Sequence, residues 1–314
     1  MKDAIGGYFG LELRKGEHYH LNALRLNTGR NCFEYILRAR NYKHVWIPYY
    51  TCEVMLEPLN KLHIPYSFYR INEQLEPQTL PNLQEHEAFL YTNYYGLKQA
   101  AVERLATHYG HQLIVDNAQA FFAPRIDGID TFYTSRKFFG VPDGAYLYTN
   151  KSLNIEIEID DSYHRMSHLL KRIDKDAEFG FADYQKHEEE LCNQPIKQMS
   201  HLTERLLESI DYMAVQQKRI ENYKILQEAL QSTNQLSLNP GDVVPMVYPL
   251  WTTKSHALRK LLQEQRIYIA TYWPNVNKWN SPALEQLLCS NLLPLPIDQR
   301  YDKQHLEIII NCII

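Results

Sequence analysis

Residues 114–149 read IVDNAQAFFAPRIDGIDTFYTSRKFFGVPDGAYLYT, and this stretch decides the fold. An apolar run delivers Asp116 at its end, Gln119 follows three residues later, and Lys137 lies twenty-one positions beyond Asp116 in Ser135-Arg136-Lys137. The run from Gln112 to Asp116 predicts a buried strand. Upstream, strands are predicted at His44–Pro48, Tyr66–Tyr69 and Ala88–Thr92, with a helix from about 99 to 109 before the Asp116 strand. Asn27-Thr28-Gly29-Arg30-Asn31 precedes Cys32 to Leu37, which has helical spacing. Thr28 or a neighbour can cap that helix, and Gly29 permits a tight turn. Strands separated by helices imply an α/β construction with mostly parallel pairing, so functional groups belong at the strands' carboxyl ends.

Beyond Asn150 the texture changes. Residues from about 160 to 233 are rich in Glu, Lys, Gln and Leu with helical periodicity, but without sustained heptads. Asn239-Pro240-Gly241-Asp242 predicts a turn. Strand-like Val244–Leu250 and Arg266–Thr271 follow, with helical Ser255–Gln265 between them and an apolar Ile308-Ile309-Ile310 near the end. The expected organisation is an N-terminal arm (1–20), a large domain with long helices (21–235) and a small C-terminal α/β domain (236–314), which 314 residues accommodate.

Composition excludes several function classes. The formal charge is −4 with no basic run, against the stripe a nucleic-acid binder needs. No stretch approaches the ~18 apolar residues of a membrane helix, and MKDAIGGYFG does not read as a signal peptide. Five scattered cysteines without CxxC spacing read as reduced thiols, which places the chain in the cytoplasm. Thirteen histidines show no metal-ligand spacing, so no metal site is expected. Cys52 reads as a small buried hydrophobe, Trp273 and Trp279 as packing or interface residues, and Glu188-Glu189-Glu190 as a solvated helix face.

Asp116, Gln119 and Lys137 together suit pyridoxal 5′-phosphate (PLP). Its chemistry needs a lysine amine that can join the cofactor's aldehyde and later move a proton. It also needs a carboxylate to hold the pyridine nitrogen protonated, so that the ring can accept electrons. A helix N-terminus beside a glycine turn can take the phosphate, and Thr28-Gly29-Arg30-Asn31 offers one. Singly, an aspartate at a strand end and a later lysine are weak signals.

In order and spacing, five segments resemble the fold-type-I PLP enzymes, and within them the sugar aminotransferases of the DegT/DnrJ/StrS type. These are Asn27-Thr28-Gly29-Arg30, Ile47-Pro48-Tyr49-Tyr50-Thr51, Thr92-Asn93-Tyr94-Tyr95-Gly96, Val115-Asp116-Asn117-Ala118-Gln119, and the loop from Lys137 to Asp143-Gly144. The resemblance covers roughly residues 20 to 150 and implies a large three-layer domain plus a small C-terminal one. It implies Lys137 as the Schiff-base lysine, Asp116 at the pyridine nitrogen and Gln119 at the phenolic oxygen. Gly29, Arg30, Asn31 and either Thr134 or Ser135 would sit at the phosphate, and Asn93 near the ring. It further implies a homodimer with shared active sites, and amino transfer from glutamate to a keto-sugar, usually nucleotide-linked. The chain departs from that pattern at Phe132, where the family has a serine, and at Cys52, where it has a ring-stacking aromatic. The family's Asn-Tyr-Arg segment beyond the lysine, which reaches the other subunit's cofactor, has no clear counterpart here. Two alternatives stay open: another PLP enzyme such as a lyase, and a fold of this type that binds without turnover. The family's dehydratases carry histidine in place of the lysine, which Lys137 argues against.

Overall fold

The computed structural model describes residues 5–238 and 241–314; the 239–240 half of the expected turn lies outside them. Seven strands form one sheet: β1 (Leu24–Leu26), β2 (His44–Pro48), β3 (Tyr66–Tyr69), β4 (Glu87–Thr92), β5 (Leu113–Asn117), β6 (Asp130–Thr134) and β7 (Ala145–Tyr148). Their order is β1-β7-β6-β5-β4-β2-β3. Pairing is parallel from β3 through β6, and β7 and β1 are antiparallel additions at one edge. The strand at the centre, β5, is buried at every position, as expected of a parallel strand covered on both faces.

Helices α1 (Gly29–Arg40) and α2 (Leu56–Lys61) cover one face, and α3 (Gln99–Tyr109) the other. The Thr28 side chain caps α1 by accepting the Asn31 N–H at 3.2 Å. Cys32, Phe33, Ile36 and Leu37 of α1 then bury against Ile47, Leu90, Ile114 and Phe132. The far end of α1 is pinned by Arg40, whose guanidinium donates to both carboxylate oxygens of the fully buried Asp130 at 2.7 and 2.8 Å. The α1 N-terminus is thereby fixed beside the ends of β6 and β7.

The long helical stretch resolves into α4 (Ser167–Asp174), α5 (Phe181–Glu190), α6 (His201–Glu208) and α7 (Tyr212–Leu230). Of these, α4 and α5 form a hairpin. The C-terminal region holds α8 (Ser255–Glu264), α9 (Ala283–Asn291) and α10 (Lys303–Ile313) around a two-stranded antiparallel sheet of β8 (Val247–Trp251) and β9 (Leu292–Pro296).

Here one expectation is corrected. Arg266–Thr271 is not a strand. Arg266 takes a positive φ of 57°, and the Ile267 N–H turns back onto the Leu262 carbonyl at 2.8 Å, closing the end of α8. The partner of β8 is instead Leu292–Pro296, whose two prolines hide its strand character in sequence.

Candidate active site

The carboxyl ends of the parallel strands and the start of α1 lie together along one end of the sheet. Asp116 sits near the end of β5, 5% exposed; its Oδ1 accepts the Ala118 N–H at 2.8 Å and its Oδ2 the Thr92 hydroxyl at 3.5 Å. Burial raises its pKa above the usual carboxylate value, against the opposing pull of the Lys137 cation. Lys137 stands on the turn after β6, solvent-exposed, and its ammonium makes no hydrogen bond or ion pair among the described residues. A cation without a partner among the described residues thus lies within electrostatic reach of a buried carboxylate.

Gln119 is fully buried. Its Oε1 accepts the Tyr95 N–H at 3.0 Å, which fixes the amide and leaves Nε2 with no hydrogen-bond partner among the described residues. An orphaned buried donor is costly and implies a ligand or water oxygen beside it. The turn that aims this amide depends on Gly96, which has a φ of +73°; a Cβ there would lie 3.0 Å from the Val244 carbonyl and 3.3 Å from that of Gln119.

Other sequence candidates lie in the same region with their side chains engaged elsewhere. Asn93 is fully buried, and its Oδ1 accepts the Lys98 N–H at 3.0 Å while Nδ2 donates to Gln99 at 3.3 Å, so it holds the chain where it enters α3. Arg30 donates to Glu57 at 2.6 Å. Asn31 takes the Thr28 hydroxyl on its Oδ1 at 2.5 Å and donates to the Gln194 carbonyl at 2.9 Å. Gly29 lies over the Phe132 ring and Thr134. The Ser135 hydroxyl, fully buried, donates to the Gly144 carbonyl at 2.8 Å. With these side chains engaged, the Gly29 and Arg30 N–H groups of the first α1 turn are what that end offers an anion, the Asn31 N–H being taken by Thr28.

The lysine turn is anchored at its far side by Asp143. That buried carboxylate accepts the Ser200 N–H at 2.8 Å, the Ser200 hydroxyl at 2.7 Å and the Thr203 hydroxyl, tying the turn to α6.

Sequence reasoning missed the contribution of the α4–α5 hairpin. Glu188 is not simply solvated: it pairs with Arg136, the residue before Lys137. One turn earlier, Tyr184 lies within electrostatic reach of Cys52, as does Tyr272 from the C-terminal region. The Asn275 amide donates to the Thr51 carbonyl at 2.9 Å, which seats the Tyr272-Trp273-Pro274 segment against Cys52. Burial raises the Cys52 thiol's pKa despite nearby Lys137 and Arg30, so it stays protonated. The hairpin tip is tied to the C-terminal region by Glu178, which pairs with Arg266 at 2.7 Å and accepts the Tyr268 hydroxyl. No sequence signal marks these contacts, which depend on how the hairpin folds back.

The hairpin also carries a titratable weak point. His187 stacks on His168 (5.0 Å, 16°), is 2% exposed, and among the described residues has no well-formed hydrogen bond at either ring nitrogen, the Pro142 backbone being its one weak polar neighbour. Burial, reinforced by the Arg136, His168 and Arg165 charges, lowers its pKa from 6.5 to about 3. The nearby carboxylates Glu188 and Asp183 are paired with Arg136 and Lys171. An undocked α5 would take up a proton near pH 6.5, so docking weakens progressively as pH falls from about 6.5 toward 3. Amide hydrogen exchange across Phe181–Glu190, corrected for intrinsic rates, should be faster at pH 5 than at pH 7. His187→Phe should reduce that dependence to the part that His168, also lowered by burial, retains, and an equal ratio in both proteins would exclude His187 as its source.

The comparisons bear on this geometry. No family profile matches the sequence, and no curated protein matches it. Solved structures do. DesV of S. venezuelae, described in complex with a ketimine intermediate, superposes with a TM-score of 0.64 at 16% identity, over 93% of this chain and 83% of that one. NtdA of Bacillus subtilis, described with bound cofactor PMP, gives 0.64 at 14% identity over 92% and 73%. A DegT DnrJ EryC1 StrS aminotransferase from Brucella abortus gives 0.61 at 15% identity over 93% and 84%. The fold is that of the fold-type-I PLP-dependent aminotransferases. The likeness spans nearly the whole chain, including the α4–α7 and C-terminal regions where the sequence resemblance thins. Among the described residues no helix is long and apolar enough to cross a membrane, and no cluster of His, Cys, Asp and Glu could hold a metal ion.

Proposed function

We propose that this chain is a PLP-dependent aminotransferase whose acceptor is a keto-sugar or similar small ketone. The observation that carries the reading is the orphaned, fully buried Gln119 Nε2 in the same cleft as buried Asp116 and unpartnered Lys137. An amide donor with no acceptor fits the cofactor's phenolic oxygen. A buried carboxylate of raised pKa fits a pyridinium nitrogen, and the first turn of α1 fits a phosphate. Thr134 stands at the end of β6 beside that turn, and Ser135 supports it from behind. When bound, PLP supplies an electron sink for the carbon that loses its proton.

The protein's own part is to orient and to move protons. Lys137 would tether the cofactor's aldehyde and, once displaced by the amino donor, carry the proton between substrate carbon and cofactor. Asp116 would hold the ring nitrogen protonated. Tyr184 and Tyr272 would wall the cleft where Cys52 leaves space. The test is direct: incubate the purified protein with PLP, reduce with borohydride and map the labelled peptide. The label should sit on Lys137, and in a separate unreduced sample added glutamate should convert the cofactor to its amine form. Label without conversion would favour the non-catalytic binder.

The chain would act as a homodimer. Apolar side chains stand exposed on the hairpin (Leu170, Ile173, Phe179, Phe181) and near the N-terminus (Tyr8, Phe9), a surface suited to a second copy. Light scattering across a concentration series should give twice the chain mass, with an interface above ~1,000 Å². A monomer at micromolar concentration would show the site to be self-contained.

A further inference from the structure

Arg219 of α7 is 1% exposed and makes no ion pair among the described residues. Burying a guanidinium without a direct ion pair is expensive even with the Asp298 carboxylate within electrostatic reach, and a leucine or glutamine there would avoid the cost. What the guanidinium provides is a rigid fork. Its Nη1 donates to the Met246 carbonyl at 3.0 Å, its Nε donates to Gln299 Oε1 at 3.2 Å, and its plane lies 4.5 Å from the Phe138 ring centre. Burial lowers its pKa to about 10, which still leaves it charged at neutral pH.

The contact to Gln299 has a directional consequence. With Oε1 taken by Arg219, the Gln299 amide can point its Nε2 only the other way, where it donates to the Phe138 carbonyl at 2.8 Å. Phe138 is the residue after Lys137. At the opposite end of the turn, the Phe138 and Phe139 N–H groups both donate to the Ser135 carbonyl at 2.9 Å. The turn bearing Lys137 is therefore clamped from both sides, once by its own backbone and once by a relay starting on α7.

We propose that Arg219 and Gln299 are positioning residues for Lys137, holding the 135–139 turn so that the amine faces Asp116; this rests on the function proposed above. Without the relay, the inner bonds of the turn open more often and the turn gains freedom about Phe138. The amine then samples positions away from the cofactor's aldehyde, a misplacement that costs rate without changing binding of the amino donor.

The decisive variant is Gln299→Glu. A carboxylate keeps, and strengthens, the contact to Arg219 but has no donor for the Phe138 carbonyl. In the protein without cofactor, amide exchange at Phe138 and Phe139 should accelerate about tenfold. The second-order rate of Lys137 labelling by PLP should fall by about tenfold. In the loaded enzyme kcat should fall while KM for the amino donor holds, with the melting temperature unchanged. If Gln299→Glu fails to fold, Gln299→Met fills similar volume without a donor and is read the same way. Wild-type exchange and labelling rates in the variant would overturn the inference and leave the proposed function standing. A wild-type protein that PLP does not label at Lys137 would overturn both.

Discussion

Lys137→Ala should yield a protein that folds normally, carries no covalent cofactor after borohydride, and is inactive. The fold is spared because Lys137 is exposed and makes no hydrogen bond or ion pair among the described residues, so its removal falls within the ±0.5 kcal/mol typical of surface changes. The chemistry is not spared. The amine is the only unpartnered nitrogen base facing Asp116 among the described residues, and a lost general acid–base group alone costs about 10²–10⁴-fold. Loss of the tether adds to that. A further consequence separates a site residue from a bystander: Lys137 is the largest influence holding the Asp116 pKa down, so its removal should raise that pKa further. Infrared or NMR titration of the Asp116 carboxyl would read the shift. Mass spectrometry showing cofactor on another lysine in the variant would remove Lys137 from its role.

The parallel sheet was legible because its strands are near-continuous apolar runs bounded by helices. His44–Pro48 and Tyr66–Tyr69 match the observed strands end to end, and Gln99–Tyr109 the helix. The cleft was legible for the same reason, since residues at the carboxyl ends of such strands converge whatever the intervening helices do. What failed to show was side-chain direction. Asn93 lies at the expected strand end, yet its amide serves the backbone of α3. Ser135 lies beside Lys137, yet its hydroxyl serves Gly144, whose φ of +110° puts that carbonyl within reach. Arg30 begins α1, yet Glu57, from a helix twenty-seven residues on, takes its charge. A short polar side chain has several partners within one turn, and periodicity does not choose among them. The hairpin was the least legible element. Its exposed apolar residues and its paired Glu188 both arise from how α4 and α5 fold back over the cleft, a tertiary choice that charge pattern alone does not encode.

Asp116→Asn should separate stability from chemistry, with opposite signs. In the folded protein burial lifts the Asp116 pKa above 3.8, the value an unfolded chain would show. As pH rises from 3.8 through the raised value, the unfolded state loses its proton first and is stabilised relative to the folded one. Ionised Asp116 therefore destabilises the cofactor-free protein at neutral pH, and the cost disappears near and below pH 3.8. An asparagine is uncharged at every pH and its Oδ1 can still accept the Ala118 N–H, so the variant without cofactor should melt above the wild type at pH 7 and level with it near pH 3.8. The reaction should move the other way. An amide cannot hold the pyridine nitrogen protonated, and the lost stabilisation is felt chiefly when charge enters the ring, so kcat should fall by about 10²–10³-fold while cofactor binding weakens far less. Calorimetric scans across pH and single-turnover kinetics with glutamate measure the two effects. A variant whose single-turnover rate matched the wild type would leave Asp116 as a buried carboxylate with no part in the chemistry, and its retention at a cost in stability would then have no cause in this site.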